Sequence, residues 1–308
     1  MRLEVWLLHP GGNPDPNQWQ SHIQNQLCVP NALSWPSWLR VLLKWFLIRW
    51  RSKRSNLADM STPCPSLTLI PQEASELKRL LGPPFRCRSL QYYGPHSMDS
   101  ALSSTPARST IFLLPLQFLR GLVLQELLDG SRKALRQSGH RVKDLDFRLL
   151  QSAYIESLAI AIRAKLIEKE WTSEYGVLLL IPTQPQSWSQ MPQMVCEEAK
   201  QLMKKLQSTL QGACPTVIAQ PYGHPTVMDG LQSLRSNGVK RLVACQLGSL
   251  LSDGELDTFI EKKLKHLAMS VGMDGLTEVS MPSQRTPFFR SARTLIYDSA
   301  KGLSEHNG

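Results

Sequence analysis

Tyr93-Gly94-Pro95-His96-Ser97-Met98-Asp99-Ser100-Ala101-Leu102 recurs loosely as Tyr222-Gly223-His224-Pro225-Thr226-Val227-Met228-Asp229-Gly230-Leu231. Each copy follows a strand-like segment, residues 86–93 in the first case and 216–220 in the second. Each is followed by an apolar strand, residues 110–116 and 241–247. An echo at equivalent places of two like patterns predicts two domains of one construction.

The remaining segments extend the alternation outward from these blocks. Residues 3–8 read as a short buried strand halted by Pro10-Gly11-Gly12-Asn13-Pro14. Helical patterns are expected at 71–81, 118–136 and 147–169, with a short helix start at 97–102. In the second half a strand at 177–181 precedes helices at 193–211, 228–236 and 255–271. Strands alternating with helices predict an α/β chain of two similar doubly wound, Rossmann-like domains, each with a parallel sheet covered on both faces. The division falls at 1–145 and 146–308, with the last helix packing back on the first domain.

Composition narrows the partners. The 308 residues carry Lys+Arg 35 against Asp+Glu 25, a net charge of +10, which favours nucleic acid, a phospholipid surface or a small polyanion. Only 19% of residues are charged and tryptophan numbers 8, so the chain is not of the disordered class. The six cysteines form no C-x-x-C pair, and no His pair stands at zinc-finger spacing. The N-terminal segment lacks the basic, apolar and small-residue order of a secretory signal, so reduced thiols and a cytoplasmic location are the expectation.

Residues 36–55 hold the most unusual local composition. Trp38, Leu42, Trp45, Phe46 and Trp50 are interrupted by Arg40, Lys44 and Arg49, and Arg51, Lys53 and Arg54 follow. The run is too short and too charged to span a bilayer. It suits an amphipathic helix lying in a membrane interface, or a core-packing helix with snorkelling cations. No nucleic-acid module accompanies it, so no nucleic-acid partner is expected.

Ligands of open parallel sheets gather beyond the carboxyl ends of the strands. His9, His96 and His224 occupy such places, and imidazoles there can hold a metal or carry protons; each can equally serve only to hydrogen-bond its own turn. Asp253, Glu255 and Asp257 are candidate acids, or simply first-turn residues of a helix capped by Ser252. The glycine loop at 10–14 fits neither a dinucleotide fingerprint nor a P-loop, and no G-x-S-x-G or H-E-x-x-H is present.

The order of blocks resembles the ferrochelatase family, which inserts ferrous iron into a porphyrin. Leu7-Leu8-His9-Pro10-Gly11-Gly12 is similar to its opening L-L-N-L-G-G loop, and the 35–55 stretch to its apolar lip with a basic R-x-x-K-S tail. Gln91-Tyr92-Tyr93-Gly94 stands for M-R-Y-G, Leu114-Pro115-Leu116 for L-P-L, and Tyr154-Ile155-Glu156-Ser157-Leu158-Ala159 for Y-I-x-A-L-A. Leu251-Ser252-Asp253 matches V-S-D, and Pro287-Phe288-Phe289 the closing P-x-F. The resemblance implies a chelatase-like fold and a porphyrin held by Gly11, Gly12, Trp38, Leu42, Arg49, Arg51, Tyr93 and Gly94, the arginines pairing with its propionates.

The departures fall on the chemistry. The family's S-A-H-G is here Ile181-Pro182-Thr183-Gln184, which puts Thr183 in the place of the catalytic histidine. The acidic E-T-L survives only as Glu255-Leu256-Asp257. An enzyme on this frame needs His9, His96 or His224 as substitute base or metal ligand, with Glu255 as the acid partner. It would take ferrous iron as substrate and need no resident cofactor. The alternative is a non-catalytic tetrapyrrole binder, or a partner subunit of a chelatase or of its own homo-oligomer. On either reading the expected location is cytoplasmic, or peripheral on the inner face of a membrane through residues 35–50.

Overall fold

The computed structural model describes residues 2–9, 65–91, 98–119, 122–170, 172–181, 191–212, 214–221, 224–251, 254–279 and 282–304. The first half runs β1 (Leu3–His9), α1 (Pro65–Leu81), β2 (Phe85–Gln91), α2 (Met98–Ser103), β3 (Thr110–Pro115), α3 (Leu122–Gln137), β4 (Arg141–Asp144) and α4 (Phe147–Glu168). The second half runs β5 (Tyr175–Leu180), α5 (Met191–Thr209), β6 (Thr216–Ala219), α6 (Val227–Ser236), β7 (Arg241–Gln246) and α7 (Gly254–Phe259). A π-helical turn (Ile260–Leu264), α8 (Lys265–Ser270), β8 (Gly275–Glu278) and α9 (Pro282–Ser304) complete it.

Each half forms a four-stranded parallel sheet, in the orders β2-β1-β3-β4 and β6-β5-β7-β8. These are the same topology, so the two doubly wound units expected from the repeated Tyr-Gly block are present. The central strands read as continuous apolar runs because both faces are covered. Val5 and Leu7 of β1 point to one side, Trp6 and Leu8 to the other, and β3, β5 and β7 divide in the same way.

The inward-facing residues of both sheets meet in one core. Val5, Leu7, Phe112 and Leu114 of the first sheet share it with Val177, Leu179, Val243 and Cys245 of the second. Between them lies α4, which is apolar on most of its circumference and buries Leu150, Tyr154, Leu158, Ile162 and Leu166. A helix apolar all round belongs inside. Asp146 starts α4 as its N-cap, its carboxylate accepting the N–H of Arg148 at 2.8 Å. The final helix packs on α4 and on α1 of the first half. The Tyr297 hydroxyl donates to the Leu81 carbonyl at 2.5 Å, and Thr286 Oγ1 donates to Glu76 at 3.2 Å.

Four elements differ from their sequence-based expectation. The edge strands Arg141–Asp144 and Gly275–Glu278 are four polar-rich residues each, too short and too exposed to show a hydrophobic period. The helix expected at 118–136 begins only at Leu122, because Phe118 and Leu119 are buried in the segment that joins the two halves. The helix expected at 255–271 is interrupted by the π turn. Leu256, Ile260, Leu264 and Ala268 are all buried. Such four-residue spacing outruns an α-helix, and a wider turn absorbs the difference. Among the described residues, no helix is long and apolar enough to cross a membrane.

Candidate functional site

Interior strand positions are apolar, but the carboxyl ends are polar. His9 ends β1, Gln91 ends β2, Gln220 follows β6 and Gln246 ends β7, and all four are buried. Buried polar side chains cost free energy unless hydrogen-bonded, so each needs a reason for its place.

In the second half the reasons are internal. Gln220 Nε2 donates to the His224 carbonyl and to Cys196 Sγ, both at 3.1 Å. His224 itself is exposed, and its main chain rather than its ring is what Gln220 uses. The adjoining Thr226 and Asp229 form a capping box on α6, the Asp229 N–H donating to Thr226 Oγ1 at 3.1 Å. Asp229 is held below the usual carboxylate range first by the Thr226 hydroxyl and N–H donating to its Oδ2 and last by the nearby His224. Gln246 Nε2 donates to Asp257 Oδ1 at 2.5 Å. Glu278, at the end of β8, is raised above the ordinary range by desolvation and by the neighbouring charges of Asp257 and Glu261.

The first half is built differently. His9 and Gln91 are register partners across β1 and β2, so their side chains leave the sheet on the same side. That side is the one on which Val5, Leu7 and Phe85 enter the shared core, facing the second half. It is also the face covered by α1, whose Glu73 is buried to 1% exposure. Burial depresses the His9 imidazole to about 4, which keeps it neutral near physiological pH. Gln91 is 2% exposed, and neither its Nε2 nor its Oε1 has a hydrogen-bond partner among the described residues.

The equivalent place in the second half makes the contrast sharper. Leu180 pairs with Ala219, so Ile181 stands beside Gln220 as His9 stands beside Gln91. Ile181 is fully buried and apolar. One carboxyl edge is closed by its own side chains, whereas the other presents a neutral imidazole beside an unused amide.

Of the residues predicted for the site, His9 stands at the carboxyl edge and His224 lies on the surface of the other half. Glu255 is in α7, within a turn of Asp257. Gly11, Gly12, Trp38, Leu42, Arg49, Arg51, Tyr93, Gly94, His96 and Thr183 lie outside the described residues. Among the described residues no group of three His, Cys, Asp or Glu side chains is placed to hold a metal ion. Three of the described thiols are kept protonated by burial. Burial pushes Cys87 up to about 12 and Cys214 up to about 11, and raises Cys245 as well. Sequence reasoning missed Gln91 and Gln220 as functional positions. Their one signal is that a glutamine stands two residues before the tyrosine of each repeated block.

The two halves are joined where β3 and β7 end. Gln117 and Ser249 form an antiparallel bridge, the Phe118 N–H donating to the Gly248 carbonyl at 2.6 Å and the Leu250 N–H to the Leu116 carbonyl at 2.9 Å. This short ladder fixes the two carboxyl edges relative to each other.

No family model matches the sequence, and no curated protein matches it. Solved structures do match the fold. SirB from Bacillus subtilis with Fe3+ is 13% identical and superposes with a TM-score of 0.55, covering 98% of both chains. CbiX, the terminal enzyme for biosynthesis of siroheme in denitrifying bacteria, is 12% identical with a TM-score of 0.51, over 96% of this chain and 98% of its own. The sirohydrochlorin chelatase SirB from Bacillus subtilis subspecies spizizenii, in complex with cobalt, is 12% identical at a TM-score of 0.48 over 97% of each chain. The motif resemblance pointed to ferrochelatases, and the likeness in three dimensions is to SirB and CbiX. What the chain shares with them over nearly its whole length is a chelatase-like α/β fold of two parallel sheets.

Proposed function

We propose that this protein binds a tetrapyrrole between the carboxyl edges of its two sheets and delivers a divalent metal ion to it, a chelatase-type reaction. The observation that carries this reading is His9, a neutral imidazole buried at the end of β1 on the side facing the second half. A neutral imidazole can take a transition cation without first losing a proton. Insertion of a divalent ion into a free-base macrocycle releases two pyrrole protons, so charge balances without any redox partner. The ferrochelatase-like motifs favour ferrous iron and a porphyrin as the substrates, with the Arg49 and Arg51 region pairing with propionates. A chelatase fold at low identity to SirB and CbiX supports the same class of reaction.

A second reading has its own support. Gln91 is an amide, which cannot accept a proton at neutral pH, and no three-ligand cluster exists among the described residues. Those features suit a tetrapyrrole carrier or a chelatase partner subunit. Anaerobic absorbance titration with protoporphyrin and coproporphyrin, with and without ferrous iron, separates the readings. Metal incorporation above background, reduced at least about tenfold in His9→Ala, supports the chelatase. A Soret shift without incorporation selects the carrier, and no binding at micromolar concentration refutes both.

A peripheral membrane position through residues 35–50 belongs to the same proposal, the net charge of +10 favouring anionic lipid. Co-sedimentation with anionic liposomes should weaken in Trp45→Glu. Indifference to that change would remove the membrane from the proposal.

A further inference from the structure

Gln91 holds a buried amide whose donor and acceptor both lack a partner among the described residues, and the matching glutamine of the second half does not share this. Gln220, at the matching place of the second half, donates its Nε2–H to the His224 carbonyl and to Cys196 Sγ. Leaving both ends of a buried amide unpaired is costly, and each such group calls for an explanation, a bound ligand that completes it being one. Whatever completes Gln91 must therefore offer a donor to Oε1 and an acceptor to Nε2 at once.

That requirement discriminates among the parts of a tetrapyrrole. A peripheral carboxylate only accepts, and would leave Oε1 unpaired. A metallated core has surrendered its N–H groups and its nitrogen lone pairs to the metal. The free-base core alone alternates pyrrole N–H donors with imine nitrogen acceptors. Gln91 stands one strand, about 4.8 Å, from His9 and projects to the same side, so one planar core can be met by both.

We infer, on the basis of the tetrapyrrole-binding reading above, that Gln91 is a specificity-determining residue that reads the free-base core of the macrocycle and finds no partner in the metallated one. The Nε2–H donates to an imine nitrogen and Oε1 accepts a pyrrole N–H. Such a contact is lost when metal enters, which favours release of the filled macrocycle. It also makes Gln91 a residue kept at a cost to the stability of the empty protein.

The test compares free-base protoporphyrin with palladium(II) protoporphyrin, whose square-planar metal takes no axial ligand from His9. Both are titrated by absorbance into the full chain, the wild type and the variants Gln91→Leu and Gln91→Met. The expected result is wild-type affinity at least about tenfold higher for the free base, a ratio near one in both variants, and unchanged palladium-porphyrin binding. The empty variants should also melt about 2–4 °C higher than the wild type, because two unpaired buried polar atoms are gone. Equal wild-type affinity for the two macrocycles, or a preference that survives in both variants, overturns the role of Gln91 while leaving tetrapyrrole binding in place. Failure of the wild type to bind either macrocycle overturns the tetrapyrrole reading and this inference with it.

Discussion

The hydroxyl of Tyr154 accepts the backbone N–H of Gly248 at 2.8 Å and lies 3.5 Å from the Gln246 carbonyl. Tyr154 belongs to α4, which follows the first sheet, whereas Gln246 and Gly248 flank the carboxyl end of β7 in the second. Burial raises the phenol far above its ordinary value, so it stays a hydroxyl that can accept from one half-loop and donate to it as well. Its ring stacks on Phe118 at 4.5 Å between centroids, the residue whose own N–H reaches Gly248. The carboxyl edge of β7 is thus held from the other repeat.

Tyr154→Phe should cost about 1–2 kcal/mol, since the ring remains and only the acceptor for a buried N–H is lost. Urea unfolding with an unchanged m-value measures it. A variant as stable as the wild type would show that the hydroxyl does not anchor Gly248.

Gly248 has a φ of +96°, and a Cβ there would meet Leu119 Cγ at 2.3 Å. Gly248→Ala therefore combines backbone strain with overpacking and should lose about 3 kcal/mol. Trimming the obstacle in Gly248→Ala with Leu119→Ala removes the clash but not the strain. The double mutant should then be more stable than the two single losses predict by addition. Strict additivity of the two losses would show that Leu119 is not the obstacle.

Glu4 is fully buried and its carboxylate accepts from Arg88 Nε at 2.9 Å and Trp6 Nε1 at 3.1 Å, while Arg88 also reaches Ser104. Arg88→Ala leaves that carboxylate without its cation and should cost about 2–3 kcal/mol, the exposed part of the arginine softening the loss. The paired change Glu4→Gln with Arg88→Met should recover most of it. A double variant as unstable as Arg88→Ala would mean that packing, not charge, is what Arg88 supplies.

His9 makes stability depend on acid. Its ordinary value is 6.5 and in the fold it is about 4, so between those values the unfolded chain binds the extra proton. The contribution is therefore complete above about pH 6.5 and declines as pH falls toward 4, for a total of about 3 kcal/mol. His9→Gln should flatten the stability profile across that window. Equal slopes for wild type and variant between pH 6.5 and 4 would refute the buried neutral imidazole.

Sequence alone determined the periodic part of this protein. The apolar runs of β1, β3, β5 and β7 need cover on both faces, and that need announces parallel α/β units. The repeated block ending at Leu102 and Leu231 announces that there are two of them. Local patterning could not reveal Arg141–Asp144 and Gly275–Glu278, which become strands only because a neighbour offers its hydrogen-bonding edge. His9 was legible as a strand-end histidine, but its neutrality comes from burial by distant segments. Gln91 and Gln220 are the same residue type at the same place in the repeat. The amide nitrogen of Gln220 finds partners and that of Gln91 finds none among the described residues, because hydrogen-bond partners such as Cys196 are delivered by packing rather than by adjacency in the chain. Only the tertiary structure could decide at which of the two carboxyl edges a buried amide was left without a partner among the described residues.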